Sequence, residues 1–310
     1  MKKAISILAL SILVSLPVSA AKYDYGLEAK KIGVDTYLFL GKKEDFSFQN
    51  GGNIVNTGFI VTSSGVVVID TGSSKRYGEQ MLAEIRKQAD KPVYKVINTH
   101  HHPDHFLGNQ SFKPAPIAAL KGTVKDIKSS GEMFSENLYR MTGDWMRGTE
   151  AVVPDVTLQP GAEEIGGHQI EYIELSGHTG SDLAVFDRTT GVLFAGDLVF
   201  YNRTLTTPHA IPEKWFVALD RLSKLPFKVL VPGHGEPVTD LSAIEQTRDY
   251  LRWLVETLDS AANKGQSMNE VMQEKIPARF ANLALVKSEF NRSVVHLFPA
   301  VEKKTLHRAN

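Results

Sequence analysis

The stretch Asn98-Thr99-His100-His101-His102-Pro103-Asp104-His105 decides how the rest of the chain is read. Four of the six residues from His100 to His105 are histidine, and they follow the apolar run Val93–Ile97, which reads as a buried strand. In extended backbone, residues i and i+2 point to the same side, so His100 and His102 can share one metal ion. A turn at Pro103 redirects Asp104 and His105, which allows a second metal site beside the first. Neutral imidazole and carboxylate suit zinc and similar divalent ions. A solvated or tag-like histidine run would have no reason to sit at a strand end.

Outward from this stretch the chain has a repeated grammar. Thr36–Leu40, Gly58–Val61 and Val66–Ile69 read as strands, and the last ends at Asp70-Thr71-Gly72. Lys75–Gln88 puts Met81, Leu82 and Ile85 on one helical face before the strand Val93–Ile97, which makes a β-α-β unit. Farther on, the strand Val192–Ala195 ends at Gly196-Asp197, Glu213–Leu222 is helical in spacing, and Val229–Val231 runs into Pro232-Gly233-His234. Each half thus gives an apolar strand ending in Asp, a helix, and an apolar strand ending in His. Parallel strands joined by helices bring their carboxyl ends to one edge, where ligands bind, so these polar residues are expected to converge. Between the halves, Lys121–Glu150 has the apolar density of helices, either core or a lid with pliable Met side chains. From Leu241 onward the pattern is helical, interrupted at Gly265 and Pro277.

Composition sets the boundaries. The 310 residues are 42% hydrophobic and 23% charged, the proportions of a globular chain rather than a disordered or fibrous one. Lys+Arg and Asp+Glu both total 35, so no basic excess exists to neutralise a phosphate backbone, and nucleic acid is not an expected partner. Lys2 and Lys3 precede the apolar run Ala4–Leu16 and then Pro17-Val18-Ser19-Ala20, the pattern of a signal peptide cleaved after Ala20. No later segment reads as long and apolar enough to span a bilayer, so stable membrane insertion after cleavage is not expected. The expected organisation is a signal peptide over 1–20, one domain over 21–240, and a helical extension over 241–310 packed on the same domain. The chain contains no Cys, so stability must come from core burial and from metal rather than disulfides. The style of the leader points to a periplasm.

The string His100-x-His102-x-Asp104-His105, followed by Gly177-His178-Thr179-Gly180, Ala195-Gly196-Asp197 and Pro232-Gly233-His234-Gly235, resembles the metallo-β-lactamase-fold hydrolase superfamily. The matches cover roughly residues 36–240 in the family's order. The resemblance implies an α/β fold, an αββα sandwich. It also implies that His100, His102 and His178 bind one metal, that Asp104, His105 and His234 bind the other, and that Asp197 bridges them. Asp70 resembles the family's outer carboxylate that orients a ligand histidine. His101 falls between ligands as a neighbour. His168, His209, His296 and His307 lack this context and read as surface or packing residues. The run Ser176-Gly177-His178-Thr179-Gly180-Ser181-Asp182 departs from the family's frequent Pro-Gly-His-Thr-Pro-Gly but keeps the histidine. The hydrolases that cleave β-lactams typically have Cys, Ser or another residue where this chain has Asp197, which argues against antibiotic cleavage as the main activity. Gly41–Asp45, Asn50–Gly58, Ile69–Gly72 and Asp197–Pro208 more closely resemble the quinoprotein relay system zinc metallohydrolases, exported proteins linked with quinoprotein alcohol dehydrogenases.

Together these features imply an exported dinuclear zinc hydrolase acting on a small ester, thioester, lactone or related molecule. Its nucleophile would be a hydroxide shared by two ions roughly 3.5–4 Å apart, with the pKa of the bound water lowered to about 7. Asp104 is placed to orient that hydroxide and pass its proton on. Iron or manganese fits the same nitrogen and oxygen donors as zinc does. Around the mouth, Tyr201, Arg203 and Trp145 are the candidate substrate contacts, with Arg203 able to clamp a carboxylate or phosphate or else to close a salt bridge, and the two aromatic rings able to stack on substrate or else simply to pack. Two other readings stay open: a β-lactam hydrolase, and a non-catalytic metal-binding accessory protein of a quinoprotein or cytochrome system.

Overall fold

The computed structural model describes residues 23–309, with side chains to Leu306. The expected leader over 1–20 and the His307 side chain lie outside the described residues. The first half comprises β1 (Lys30–Gly33), β2 (Thr36–Phe39), β3 (Thr57–Thr62), β4 (Gly65–Ile69), α1 (Lys75–Gln88), β5 (Val93–Ile97), α2 (Pro103–Phe106), β6 (Ile117–Leu120), α3 (Lys121–Thr142) and β7 (Val156–Leu158). Its seven strands form one sheet in sequence order. The second half comprises β8 (Gly161–Ile165), β9 (His168–Leu175), β10 (Asp182–Asp187), β11 (Val192–Phe194), α4 (Pro212–Leu222) and β12 (Val229–Val231). These five strands form a second sheet, ordered β12-β11-β10-β9-β8. Three helices complete the chain: α5 (Ser242–Asn263), α6 (Met268–Val271) and α7 (Val286–Ala309).

The two sheets face each other through one apolar layer. Ile60, Val67, Ile69, Ile97 and Leu120 from the first meet Ile170, Leu183, Val185, Phe194 and Val231 from the second. All are buried, because strands with both faces covered carry near-continuous apolar runs. On the outer face of the first sheet, α1 is capped by the Ser74 hydroxyl, which accepts from Tyr77 N, and it buries Tyr77, Met81 and Ile85. On the outer face of the second sheet, α4, α5 and α7 share one cluster with Ala184, Phe186 and Leu193. The architecture is therefore αββα, and the C-terminal helices belong to the core of the second half.

Both β-α-β units form as the sequence indicates. β4 and β5 are parallel with Ile69 beside Ile97, and β11 and β12 are parallel with Phe194 beside Val231. Their carboxyl ends share one edge of the sandwich. α3 plays two parts. Ile127 and Leu138 are buried in a cluster with Phe106 and Met146, while Met133, Tyr139 and Met141 are exposed. β1 and β8 are not marked in the sequence, because their exposed, charged residues break the apolar alternation.

Candidate metal centre

The histidine run leaves β5 and turns sharply at α2, where Pro103 takes the first helical position with its backbone angle already suited to a helix. His178 comes from the loop between β9 and β10. There the Asp182 carboxylate accepts from both the N–H and the hydroxyl of Thr179 and tightens the turn. Burial pushes the Asp182 carboxyl up to about 7 despite these bonds. Asp197 lies in a 3-10 turn just past β11, behind Gly196, whose φ of +53° is left-handed. His234 follows β12 in a loop held by Asn56, whose amide donates to the carbonyls of Pro232 and Gly235.

These side chains converge in two groups, His100, His102, His178 with Asp197, and Asp104, His105, His234; the candidate ligand atoms within each lie within 4.8 Å of one another. Asp197 sits between the groups. Its Oδ2 is 3.3 Å from His178 Nε2 and 3.3 Å from His234 Nε2, and its Oδ1 is 3.1 Å from His105 Nε2. Asp104 Oδ2 is 3.5 Å from His234 Nε2. Gly233 makes room for this packing. A Cβ there would lie 1.9 Å from Asp197 Oδ1.

The outward nitrogens of the rings are held in a definite way. His105 Nδ1–H donates to Asp70 Oδ2 at 2.7 Å, and His234 Nδ1–H donates to the Ile54 carbonyl at 2.7 Å. Asp70 also accepts from the Thr99 amide and hydroxyl, and the Thr99 hydroxyl lies 3.1 Å from His100 Nδ1. One buried carboxylate thereby orders ligand candidates in both groups. With their Nδ1 protons engaged, His105 and His234 turn Nε2 inward. Among the described residues, His100 Nε2 is buried without a hydrogen-bond partner, and His105 Nε2 and Asp197 Oδ1, though 3.1 Å apart, are buried and not aligned for a hydrogen bond. Orphaned polar atoms of this kind are costly unless something meets them, and convergent imidazole and carboxylate donors fit divalent cations.

Electrostatics agree. Burial, with the neighbouring charges of His105 or His178, holds His100 and His102 well below the usual histidine range, and burial pushes His178 down to about 3. All three keep lone pairs for a cation. For His105 burial works the same way but is outweighed by Asp197, Asp70 and Asp104, which hold it well above the usual range. Burial would raise the Asp197 carboxyl, yet His234, His105 and His178 hold it well below the ordinary value. The acidic groups thus concentrate a strong demand for positive charge at this point.

A cavity of about 420 Å³ opens over the two groups. Asp104, Asp197, His102 and His234 lie on its floor, and Phe46, Ile54, Phe134, Leu138 and Met141 form an apolar wall. Arg203 lines it too, but not as a surface group. It is buried, donates to the Thr204 carbonyl, and stands 3.6 Å from Glu289 of α7. The C-terminal helix therefore reaches the site, which its sequence does not announce. Trp145 and Tyr201 are corrections to the sequence reading, because neither lines the cavity. Trp145 is buried against Tyr25 and donates to the Phe48 carbonyl, and Tyr201 presses its backbone carbonyl against Gly235. His209 is the opposite correction. Read as a bland residue, it lines the cavity and places Nδ1 2.9 Å from His102 Nε2. His101 is a neighbour of the main groups and forms a third one with His102 and His209. His168 is a packing residue, paired with the buried Asp187 across the β9–β10 hairpin.

Residues 50–234 match the family model described as the Metallo-beta-lactamase superfamily. The linear primary-alkylsulfatase of Pseudomonas sp. (strain ATCC 19151) is 23% identical over 280 residues, covering 76% of this chain and 53% of its own length. The chain thus spans about half of that relative. The hydroxyacylglutathione hydrolase of Pseudomonas savastanoi pv. phaseolicola is 26% identical over 232 residues, 73% of this chain and 76% of that one. Among solved structures, a metallo-beta-lactamase from Pontibacter korlensis aligns with a TM-score of 0.59 at 26% identity, covering 73% of this chain and 99% of that one.

Proposed function

The chain belongs to the metallo-beta-lactamase superfamily and is a hydrolase of that family, and on this premise we propose that it is a dinuclear zinc enzyme cleaving a small ester, thioester or lactone. The observation that carries this reading is the convergence of six donors from both halves around the buried Asp197 carboxylate, under a cavity with an apolar wall. Two divalent cations held by His100, His102 and His178, by Asp104, His105 and His234, and by Asp197 would supply Lewis acidity and an activated water near neutral pH. The chain's residues do the rest. Asp70 and Ile54 fix the His105 and His234 rings so that Nε2 faces inward. Asp104, on the cavity floor, accepts a proton at its carboxylate and returns it to the leaving group. Phe46, Phe134, Leu138 and Met141 take the apolar arm of the substrate and exclude water from it.

The relatives' names favour a hydrolase of a small molecule: one is a hydroxyacylglutathione hydrolase and another a linear primary-alkylsulfatase. The leader pattern Lys2 to Ala20 supports export to a periplasm, and the motifs Asn50–Gly58 and Asp197–Pro208 support a role beside a quinoprotein dehydrogenase. The test is a panel of p-nitrophenyl esters, acyl thioesters, lactones and nitrocefin, with the zinc-loaded and chelated protein. Turnover of an ester, thioester or lactone that is lost on chelation and restored by zinc is the expected result. Efficient turnover of nitrocefin alone would make the protein a β-lactam hydrolase. A zinc-replete protein inert toward the whole panel would favour the accessory role. N-terminal sequencing of protein from a periplasmic fraction, expected to begin at Ala21, checks export.

A further inference from the structure

Five histidines ring the two groups, and the outward nitrogen of each ring shows how it is held. His105 leans on Asp70, His234 on the Ile54 carbonyl and His100 on Thr99, all buried partners within the first half of the chain. His178 Nδ1 has no hydrogen-bond partner among the described residues. His102 differs in presenting the other nitrogen inward, with Nδ1 2.8 Å from His178 Nε2. Its outward atom is Nε2, which points toward the cavity wall and meets His209 Nδ1 at 2.9 Å.

We infer that His209 is a positioning residue for His102, an inference that rests on reading the cluster as a metal centre. A neutral imidazole carries one N–H. If Nδ1 is to offer its lone pair to a cation, the proton must be on Nε2, and a buried N–H needs an acceptor. His209 Nδ1 accepts it, which fixes both the tautomer and the ring plane of His102. His209 meets His102 through this bond, its ring lies beside those of His101 and Phe134, and it is itself exposed on the cavity wall.

The loop carrying His209 is built to hold this position. Ala210 N–H donates to the Thr207 carbonyl, and Ile211 N–H donates to the Gly177 carbonyl, beside His178. The Thr207 and Ser293 hydroxyls lie 3.0 Å apart, tying the loop to α7. One segment thus reaches His102 through a side chain and the His178 loop through its backbone, and α7 braces both contacts.

A competing reading would place a third cation among His101, His102 and His209, whose nitrogens also lie within 4.8 Å of one another. That reading requires His102 to bind cations through both nitrogens and so to lose its last proton as an imidazolate. The hydrogen bond requires no such step.

Zinc stoichiometry and affinity of the full chain, measured by chelator competition on wild type, His209→Ala and His209→Gln, distinguish these readings. We expect two zinc ions per chain in all three proteins. His209→Ala should weaken the tighter or the weaker of them by roughly 10–100-fold, as loss of an outer partner does. His209→Gln, whose amide oxygen still accepts a proton, should recover affinity to within about threefold of wild type, a rescue that a merely structural role would not produce. Thermal unfolding of the zinc-free proteins should be the same in all three. Unchanged affinity in His209→Ala overturns the inference. So do three zinc ions in wild type that fall to two in both variants, which would make His209 a ligand. A wild-type chain that binds no zinc would sink the reading of the centre itself, and the inference with it.

Discussion

The two β-α-β units of the sandwich can be laid over each other by their hydrogen bonds. In the first, the Asp70 amide donates to the Ile97 carbonyl, and His100 stands three residues beyond Ile97. In the second, the Ala195 amide donates to the Val231 carbonyl, and His234 stands three residues beyond Val231. The histidines are therefore equivalent, but the carboxylates are not. Asp70 matches Ala195, and Asp197 lies two residues farther along. The left-handed residue is Asp70 itself in the first half, with φ +56°, and Gly196 in the second, with φ +53°. That offset separates the roles. Asp70 remains at the strand end and orders the His105 ring and Thr99 from behind, whereas the extra turn through Gly196 carries Asp197 into the space between the ligand groups. One supersecondary unit used twice yields a carboxylate that orients a histidine ring and one that stands between the two histidine groups.

The largest effect should come from removing the bridge. Asp197→Ala is expected to lose bound metal and activity together, the latter by more than about a hundredfold, since on the proposed reading Asp197 is a direct donor rather than an outer partner. Two tightly bound ions with full turnover in that variant would remove the asymmetry. Gly233→Ala should approach the same loss by another route, because its Cβ would occupy the space of Asp197 Oδ1. Gly180→Ala, with open space at its Cβ, is the matched control and should behave as wild type in the same metal and activity assays. Asp70→Asn should be milder, weakening zinc by roughly 10–100-fold in chelator competition while leaving two sites. If it instead abolished one site with the severity of Asp197→Ala, the two carboxylates would be doing the same work.

A smaller difference appears in pH dependence without metal. His100, His101, His102 and His178 are held below the usual histidine range, mainly by burial, His101 at about 4 and His178 at about 3. The unfolded chain takes up protons below about pH 6.5 that these folded histidines refuse, so on their account chelated protein loses stability as pH falls from 6.5 toward 4, while Asp182, pushed up to about 7, works the other way because its folded carboxyl takes up a proton that the unfolded one refuses until about pH 4. His105, held above the usual range, contributes stability that is fully present below pH 6.5 and so does not oppose this slope. For His101 the effect is of order 2–3 kcal/mol across that window. His101→Gln should flatten the slope in urea unfolding measured at pH 7 and pH 4.5. An unchanged slope would mean that His101 does not contribute.

The fold was readable where periodicity is strong. The parallel pairs β4–β5 and β11–β12 and the helices α1 and α4 come from runs whose burial is one-sided or complete, so their residue types show it. Edge strands with alternating charged residues such as Glu163 and Glu164 carry no such mark. In the site, side chains clustered in sequence, or set at a strand end beside Gly, could be picked out. His209 could not, because its role depends on a loop that acquires meaning only when Ile211 bonds to Gly177. The part played by α7 was hidden for the same reason, since Glu289 and Ser293 look like ordinary helix residues until Arg203 and Thr207 are folded against them. Trp145 misled in the other direction. An aromatic residue close in sequence to α3 suggests a cleft, but its ring is packed against Gly51 and Tyr25.

Whether Asp197 stands between two cations can be seen in an anomalous difference map at the zinc edge, from crystals of the zinc-loaded protein. Two peaks roughly 3.5–4 Å apart are expected. One should lie among His100, His102 and His178 and the other among Asp104, His105 and His234, with the Asp197 carboxylate between them. A single peak, or density centred on His101 and His209 with the Asp197 carboxylate unengaged, would refute the dinuclear centre.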